Sequence, residues 1–193
     1  MHETHRQLLQ KTAEGDVASF QKLYADFCDR VYNTAISHLQ DQLDAEETTQ
    51  DVFIEIFRSA VHFKSDATVS TWIYRIAVNK CLDKLRYRKR KKRFAFVTSL
   101  FGLDGSLRHD KAGFDHPGTL LENKDKTVVL FKAMEHLPEQ QKTAFVLAFV
   151  EQLPRQEVAD IMKLSLKATE SLLQRAKGTL RKGLALFYEQ EKD

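Results

Sequence analysis

The sequence predicts an all-α protein built of two small helical domains joined by a flexible linker. Three observations carry this. Apolar residues recur at i, i+3, i+4 and i+7 over most of the chain, the rhythm of amphipathic helices. Proline occurs only at positions 117, 138 and 154 of the 193 residues, and its absence from the first 116 favours long helices there. Four of the seven glycines, with Pro117, fall between residues 94 and 124, a composition break of the kind found between domains. The domains are then 1–93 and 125–193, with the linker at 94–124.

Composition narrows the function classes. The formal net charge is only +3 although 30% of residues are charged, so the distribution of charge says more than its sum. Cys28 and Cys81 are the only cysteines and form no CxxC pair, which fits small core residues in a reducing compartment. The seven histidines show no paired spacing, and no acidic or nucleophilic cluster or Gly-rich phosphate loop is present, so neither a metal, a cofactor nor an enzyme active site is expected. No apolar run approaches the ~18 residues of a membrane span. MHETHRQLLQ is not a signal peptide. A cytoplasmic protein with no membrane insertion of its own is expected.

Taken in order, residues 5–14 and 17–39 read as helices separated by Gly15-Asp16. In the second, Phe20, Leu23, Tyr24, Phe27, Val31, Ala35 and Leu39 form a stripe that should be buried. QDQLD at 40–44 reads as a turn with Asp44 as the N-cap of a helix from Ala45 to Val61. There Ala45, Thr49, Val52, Phe53, Ile56 and Ala60 share the core face. Glu47, Asp51, Ile54 and Arg58 share the reverse face. On spacing alone that face suits solvent, with one stray isoleucine; a protein-docking patch is the other reading. Residues 62–71, HFKSDATVST, break the helical period and form a loop, either a plain connector or a receptor for an unstacked base.

The stretch Ser70–Arg93 can run as one helix, since it holds neither Gly nor Pro. Its last ten residues carry Lys84, Arg86, Arg88, Lys89, Arg90, Lys91, Lys92 and Arg93. Eight cations in ten positions repel one another unless a polyanion is near, and nucleic acid is the obvious one. At about 100° per residue, Trp72, Arg75, Asn79 and Arg86 share one strip, while Tyr74, Ala77, Val78, Cys81 and Leu85 form the opposite, core face. An aromatic ring, guanidiniums and an amide on one strip suit an unpaired base and its phosphate. Trp72 suits the core equally well.

The linker opens with FAFVTSLFGL, too apolar for a purely solvated connector, so this piece should dock somewhere. The second domain starts near Asn123. Val128, Val129, Phe131, Lys132 and Met134 begin one helix, and Glu139 to Gln152 make another. Pro154 sits at a helix start, where its missing N–H costs nothing. Val158, Ala159 and Met162 make a short apolar face, Lys163-Leu164 a turn, and Ser165 the cap of a last helix with Thr169, Leu172, Leu173, Ala176, Leu180 and Leu184 inward. Lys167, Glu170, Ser171, Gln174 and Arg175 point outward, followed by Lys177, Arg181 and Lys182. Short helix, tight turn and long helix with a polar, basic outer face form a helix-turn-helix that could read a major groove. An ordinary three-helix bundle shares the pattern.

DAEETTQDVFIEIFRS at 44–59, FKSDATVSTWIYRIAVNKCLDKLR at 63–86 and LPEQQKTAFVLAFVEQLPRQEVADIMKLSLKATESLLQRAKGTLRK at 137–182 together resemble an extracytoplasmic-function (ECF) sigma factor of the sigma-70 family of bacterial RNA polymerase. The resemblance implies a region 2 domain over 1–93 that grips the β′ clamp helices of core polymerase and recognises and opens the −10 promoter element. It implies a region 4 domain over 125–193 that docks on the β flap and reads the −35 element. Core polymerase would meet Glu47, Gln50, Asp51, Ile54 and Phe57, which turns the face of the 45–61 helix from solvated to docking. The −10 DNA would meet Phe63, Lys64 and Ser65 in the loop, then Trp72, Arg75, Asn79, Lys84, Arg86, Arg88, Lys89 and Arg90. The −35 DNA would meet Arg155, Ser165, Lys167, Glu170, Ser171, Gln174, Arg175, Lys177 and Arg181. The apolar linker start would thread a polymerase channel, and an anti-sigma factor is an expected partner. The family often carries Gly-Thr-Val-Lys-Ser-Arg in the recognition helix; Lys167, Glu170 and Leu172 stand in place of its Gly, Lys and Arg, so an altered −35 preference is expected. An autonomous helix-turn-helix regulator is the competing function.

Overall fold

A computed structural model describes residues 4–64, 66–100 and 124–190, with side chains over 4–64, 66–93 and 129–185. Ser65, the side chain of Val128 and the body of the linker at 101–123 lie outside the described residues, as does the docking place expected for the apolar linker start. The described residues form eight α-helices.

The first is α1, His5–Ala13, opened by a capping box in which Thr4 and Gln7 satisfy each other's backbone N–H groups. Gly15, at φ +91°, makes the break that follows. In α2, Val17–Leu39, the Asp16 carboxylate caps Ala18 N–H at 3.0 Å. α3 spans Gln42–Ser59 and is capped by Asp41, which accepts the Asp44 N–H at 2.9 Å. The expected cap, Asp44, is therefore inside the helix. Its carboxylate instead takes Lys84 at 3.2 Å and Arg88. A single 3₁₀ turn, Ala60–His62, ends this hairpin.

α4, Val69–Leu100, begins under Thr68, whose hydroxyl accepts the Thr71 N–H at 3.0 Å. It also overruns the boundary expected at Arg93, because no helix breaker occurs before Gly102. The first seven residues assigned to the linker are helical. The second domain holds α5, Lys124–Glu135, α6, Glu139–Phe145, α7, Arg155–Met162, and α8, Leu166–Gln190. The single helix expected over 139–152 is instead an α-helix that widens into a π turn at Val146–Val150. The widening re-aims the carboxyl end of the segment, so that Val146 and Leu147 are buried while Phe149 and Val150 are only half-buried. Lys163 closes α7 in the left-handed region at φ 55°, and Ser165 Oγ accepts the Ala168 N–H at 3.2 Å to start α8.

The core of the first domain joins Leu9, Leu23, Phe27 and Val31 to Val52, Ile56, Ile73 and Ala77. The second has Met134, Leu137, Val146, Ala176 and Leu180. Tyr74 and Val78, expected in the core of their own domain, are buried against Leu147, Leu153, Val158 and Ile161 of the other. Tyr24 departs from its buried stripe and stays 44% exposed.

The open carbonyls at the end of α2 are satisfied from outside the helix. Arg88 Nη1 donates to Leu39 O at 2.9 Å and Lys142 Nζ to His38 O at 2.9 Å. Cations suit the negative end of a helix dipole, which offsets part of the cost of burying Lys142; burial still lowers its pKa to about 8. The His38 ring is buried with neither nitrogen hydrogen-bonded. Burial, with Lys142 nearby, holds its pKa down at about 3.

The neutral imidazole is the folded form. Its contribution is therefore complete above the unfolded value of about 6.5 and is lost as pH falls from there towards 3, a cost on the order of 5 kcal/mol at about 1.4 kcal/mol per unit. Urea unfolding is expected to show the wild-type midpoint dropping between pH 7 and 4.5, and His38→Gln dropping less. An equal drop in both would take His38 out of the acid response.

Candidate nucleic-acid interface

α4 crosses the first domain's core and leaves it with a polar strip outward, the place where the sequence puts its candidate nucleic-acid residues. Ile73, Ala77 and Cys81 are buried, whereas Asn79, Arg86, Lys89 and Arg90 are exposed and Arg75 is half-exposed. The strip divides. Trp72 lies half-buried on the first domain's core, edge-on to Phe63 with ring centroids 5.3 Å apart. Arg75, Asn79 and Arg86 instead line a cleft of about 340 Å³ shared with α6 and α7.

The loop before α4 borders a larger open cleft of about 740 Å³, lined by Phe63, Asp66, Thr68, Thr71 and Arg75. His5 and Arg6 of α1 and Asp160 of α7 also line it, and sequence spacing held no sign of them because both helices are distant along the chain. Lys64 is exposed beside it.

The basic run is not uniform. Lys84 binds Asp44 at 3.2 Å and Glu47 at 2.7 Å, so it ties α4 to α3. Its pKa is raised: burial works against the charge, and Glu47 and Asp44 outweigh it. Arg88 binds Asp44 and the end of α2. Arg86 pairs with Asp83 at 2.9 Å on the exposed surface, where such pairs are worth little. Lys89 reaches Glu139 at 2.8 Å. Arg90, Lys91, Lys92 and Arg93 line the rest of the run, with Lys91, Lys92 and Arg93 exposed.

On α3, Gln50, Asp51 and Ile54 face solvent, with Ile54 47% exposed. Phe57 at 43% and Val61 at 67% continue the same side. Phe20 supports Phe57 edge-on at 5.2 Å, and exposed Tyr24 packs tilted against Phe53 with ring centroids 4.6 Å apart. The lone isoleucine of the spacing argument thus stands in an apolar patch, the kind of surface that proteins use for docking. The neighbouring Val61 went unnoticed because it closes the helix at the point where periodicity stops. Glu47 is half engaged by Lys84.

In the second domain Lys167, Glu170, Ser171, Gln174, Arg175, Lys177 and Arg181 are exposed along α8, and Ser165 sits at its start. The Arg155 guanidinium lies 4.9 Å from the Phe149 ring centre and Lys177 Nζ 4.7 Å from it, an arrangement that fixes both cations by cation–π attraction. Arg175 Nε donates back to Ser171 O at 3.3 Å. Among the described residues no group of three His, Cys, Asp or Glu could hold a metal, and no helix is long and apolar enough to cross a membrane.

Comparison with known proteins adds to this geometry. The family model for sigma-70 region 2 matches residues 23–91, and that for sigma-70 region 4 matches 128–180. The RNA polymerase sigma-H factor of Pseudomonas aeruginosa is 24% identical over 94% of both chains. The ECF sigma factor SigW of Bacillus subtilis is 24% identical over 91% of this chain and 94% of its own. The ECF sigma-E factor of Escherichia coli strain K12 is 26% identical over 90% and 91%. Among solved structures, CnrH in complex with the cytosolic domain of CnrY aligns over 95% of this chain and 99% of its own, with TM-score 0.68 and 22% identity. The sigma factor RpoE of Bartonella quintana, solved with the anti-sigma factor NepR, aligns over 88% and 98% with the same TM-score and 20% identity. These two share the fold. With both sigma-70 regions matched in order and relatives similar along nearly their whole length, the chain belongs to the sigma-70 family and is an RNA polymerase sigma factor of the ECF group.

Proposed function

We propose that this sigma factor docks on core polymerase through the apolar and acidic patch of α3, opens the −10 element on α4 and reads the −35 element with α8. One observation supports this reading: an exposed apolar and acidic face on α3, a basic and aromatic strip on α4 and an exposed polar face on α8 occur together in one small chain. An autonomous regulator has no use for the first two. Transcription initiation puts the protein in the bacterial cytoplasm with core polymerase and promoter DNA as partners. RpoE was solved with the anti-sigma factor NepR, and we carry an anti-sigma partner over to this chain on the same footing.

The open cleft beside Phe63 has room for a base turned out of the duplex, and the Trp72 ring, edge-on to Phe63 but not itself lining the cleft, would offer a stacking face next to it. Its floor of backbone and hydroxyl groups at Thr68 and Thr71 offers donors and acceptors for a base edge.

The test is run-off transcription by core polymerase on a genomic fragment library, with and without the chain, transcripts being mapped by sequencing. New start sites preceded by a shared motif pair are expected. Specific binding to duplex DNA without polymerase, and no new starts with it, would favour the regulator.

Once promoters are in hand, Gln174→Ala and Arg175→Ala are each expected to lower affinity by roughly 1–3 kcal/mol, the scale of a good base contact. On a promoter with a scrambled −35 element neither should cause further loss. Equal loss on both templates would make these side chains phosphate contacts. Glu170, an acid in a groove of acceptors, suits a cytosine amino group; Glu170→Lys is expected to change which base is preferred rather than abolish binding.

A further inference from the structure

The open cleft beside Phe63 is built from parts of the chain that are far apart in sequence. The loop and the start of α4 supply one side, and the first turn of α1 adds His5 and Arg6. That turn is held firmly. Leu8 and Leu9 are buried in the first domain's core, and Thr4 and Gln7 close the capping box around it. The His5 ring lies edge-on to Phe27 with centroids 4.9 Å apart, and its Nε2 is 3.3 Å from the Asp26 carboxylate. Arg6 therefore lines the cleft from a fixed backbone, and less ordering remains to be done when a ligand arrives.

Most polar side chains of the cleft are already engaged. Ser70 Oγ donates to Glu157 at 3.0 Å. Thr68 Oγ1 donates to Thr71 Oγ1 at 2.9 Å and accepts the Thr71 N–H. Arg75 Nη2 donates to the Asp160 backbone carbonyl at 2.7 Å. What the two threonine hydroxyls still offer suits any base, because a hydroxyl both donates and accepts. Arg6 differs from all of these. It is exposed, and among the described residues its guanidinium has no hydrogen-bond or ion-pair partner.

A guanidinium is a rigid fork, best matched by two acceptors side by side. Guanine offers O6 and N7, and cytosine offers N3 and O2. Adenine and thymine place an N–H or a C–H between their acceptors, so the fork meets only one at a time. Resting on the base-receiving cleft of the function proposed above, we infer that Arg6 of α1 is a specificity residue for the −10 element: it selects guanine or cytosine as the base turned into the cleft. The recognition of that base is then shared between the loop before α4 and a helix some sixty residues earlier.

The test uses holoenzyme made from core polymerase and the full chain, on one mapped promoter. Each −10 position of the non-template strand is replaced in turn by the four bases and by an abasic residue. Opening is read by permanganate at thymines kept constant. One position is expected at which guanine or cytosine opens about tenfold or more better than adenine or thymine. Arg6→Ala should flatten that preference to about twofold or less and leave the other positions as they were. Arg6→Lys, which keeps the charge and loses the fork, should flatten it as well. On the promoter that is abasic there, wild type and Arg6→Ala should open alike.

An unchanged preference in Arg6→Ala would overturn the inference, as would a wild-type preference for adenine or thymine at that position. Equal loss on all four bases with a flatter salt dependence, restored by Arg6→Lys, would overturn it too and make Arg6 a phosphate contact. A wild-type holoenzyme that opens the promoter with no base preference at any −10 position would instead sink the base-receiving role of the cleft, and the inference with it.

Discussion

Asp51→Arg combined with Ile54→Ala is expected to abolish binding to core polymerase while leaving helix content and unfolding midpoint unchanged. The two residues lie one turn apart on α3, both exposed, with Phe57 and Val61 continuing the apolar side. Neither contributes to the first domain's core, which is built from Val52, Phe53 and Ile56 on the opposite face. Truncating the isoleucine therefore leaves no cavity. An apolar residue at the centre of an interface is worth about 2 kcal/mol or more where it is a hot spot, and reversing a charge beside it adds repulsion. A loss of several hundredfold follows if both act. Glu47→Ala is expected to do less, since that carboxylate is already held by Lys84 at 2.7 Å. Pull-down with core enzyme reads both variants, and unchanged affinity in the double variant would remove the docking role from α3.

The residues that periodicity placed and those it missed differ for a physical reason. The stripes of α2, α4 and α8 are local properties of the chain: Leu23, Phe27, Val31, Ala77, Cys81, Leu173 and Ala176 had to face inward in any helical arrangement, and they do, whereas the equally buried Ile73 was not among the expected core residues. Periodicity does not say what covers a face. Tyr74 and Val78 share an arc with Ala77 and Cys81, yet they meet the other domain, because which apolar strip pairs with which is decided by shape at long range. Lys142 and Glu151, which hold that interface, sit in a mainly apolar segment, and the groups that bind them lie far away in sequence. Their burial became legible only when α2 and Tyr74 were placed against them. The turn and cap of the helix-turn-helix were readable, since Ser165 and Lys163 act on their neighbours; its packing was less so, for Ile161 is buried where Met162 was expected, and Met162 and Leu184 are only half-buried. The basic run was readable as charge, but the separate roles of its members were not. Geometry assigns Lys84 and Arg88 to holding α3 and α2 in place.

That assignment sharpens the remaining experiment, on α4 itself. Neutralising Arg88 would confound DNA binding with release of Asp44 and of the Leu39 carbonyl, and Lys89 is paired with Glu139, so the charge test uses Arg90, Lys91 and Lys92, all exposed. Their replacement by glutamine is expected to weaken promoter binding by holoenzyme while the fraction of bound promoter that opens stays the same. The salt dependence of binding should flatten too, its slope falling by about 0.9 for each duplex phosphate that is no longer neutralised. Trp72→Ala should do the reverse. Stacking on an unpaired base is worth roughly 1–3 kcal/mol, so closed-complex affinity should hold while opening falls about tenfold or more. Trp72 also packs against Phe63 and the first domain's core, so loosened packing adds to the effect of the alanine. Trp72→Phe separates the two: it keeps an aromatic face for the base and most of the buried area, and should retain most of the opening. Permanganate reactivity of unpaired thymines, measured beside a filter-binding salt series, reads both halves. Normal opening by Trp72→Ala, or a full salt slope in the triple glutamine variant, would mean that strand capture and phosphate attraction are not divided along this helix.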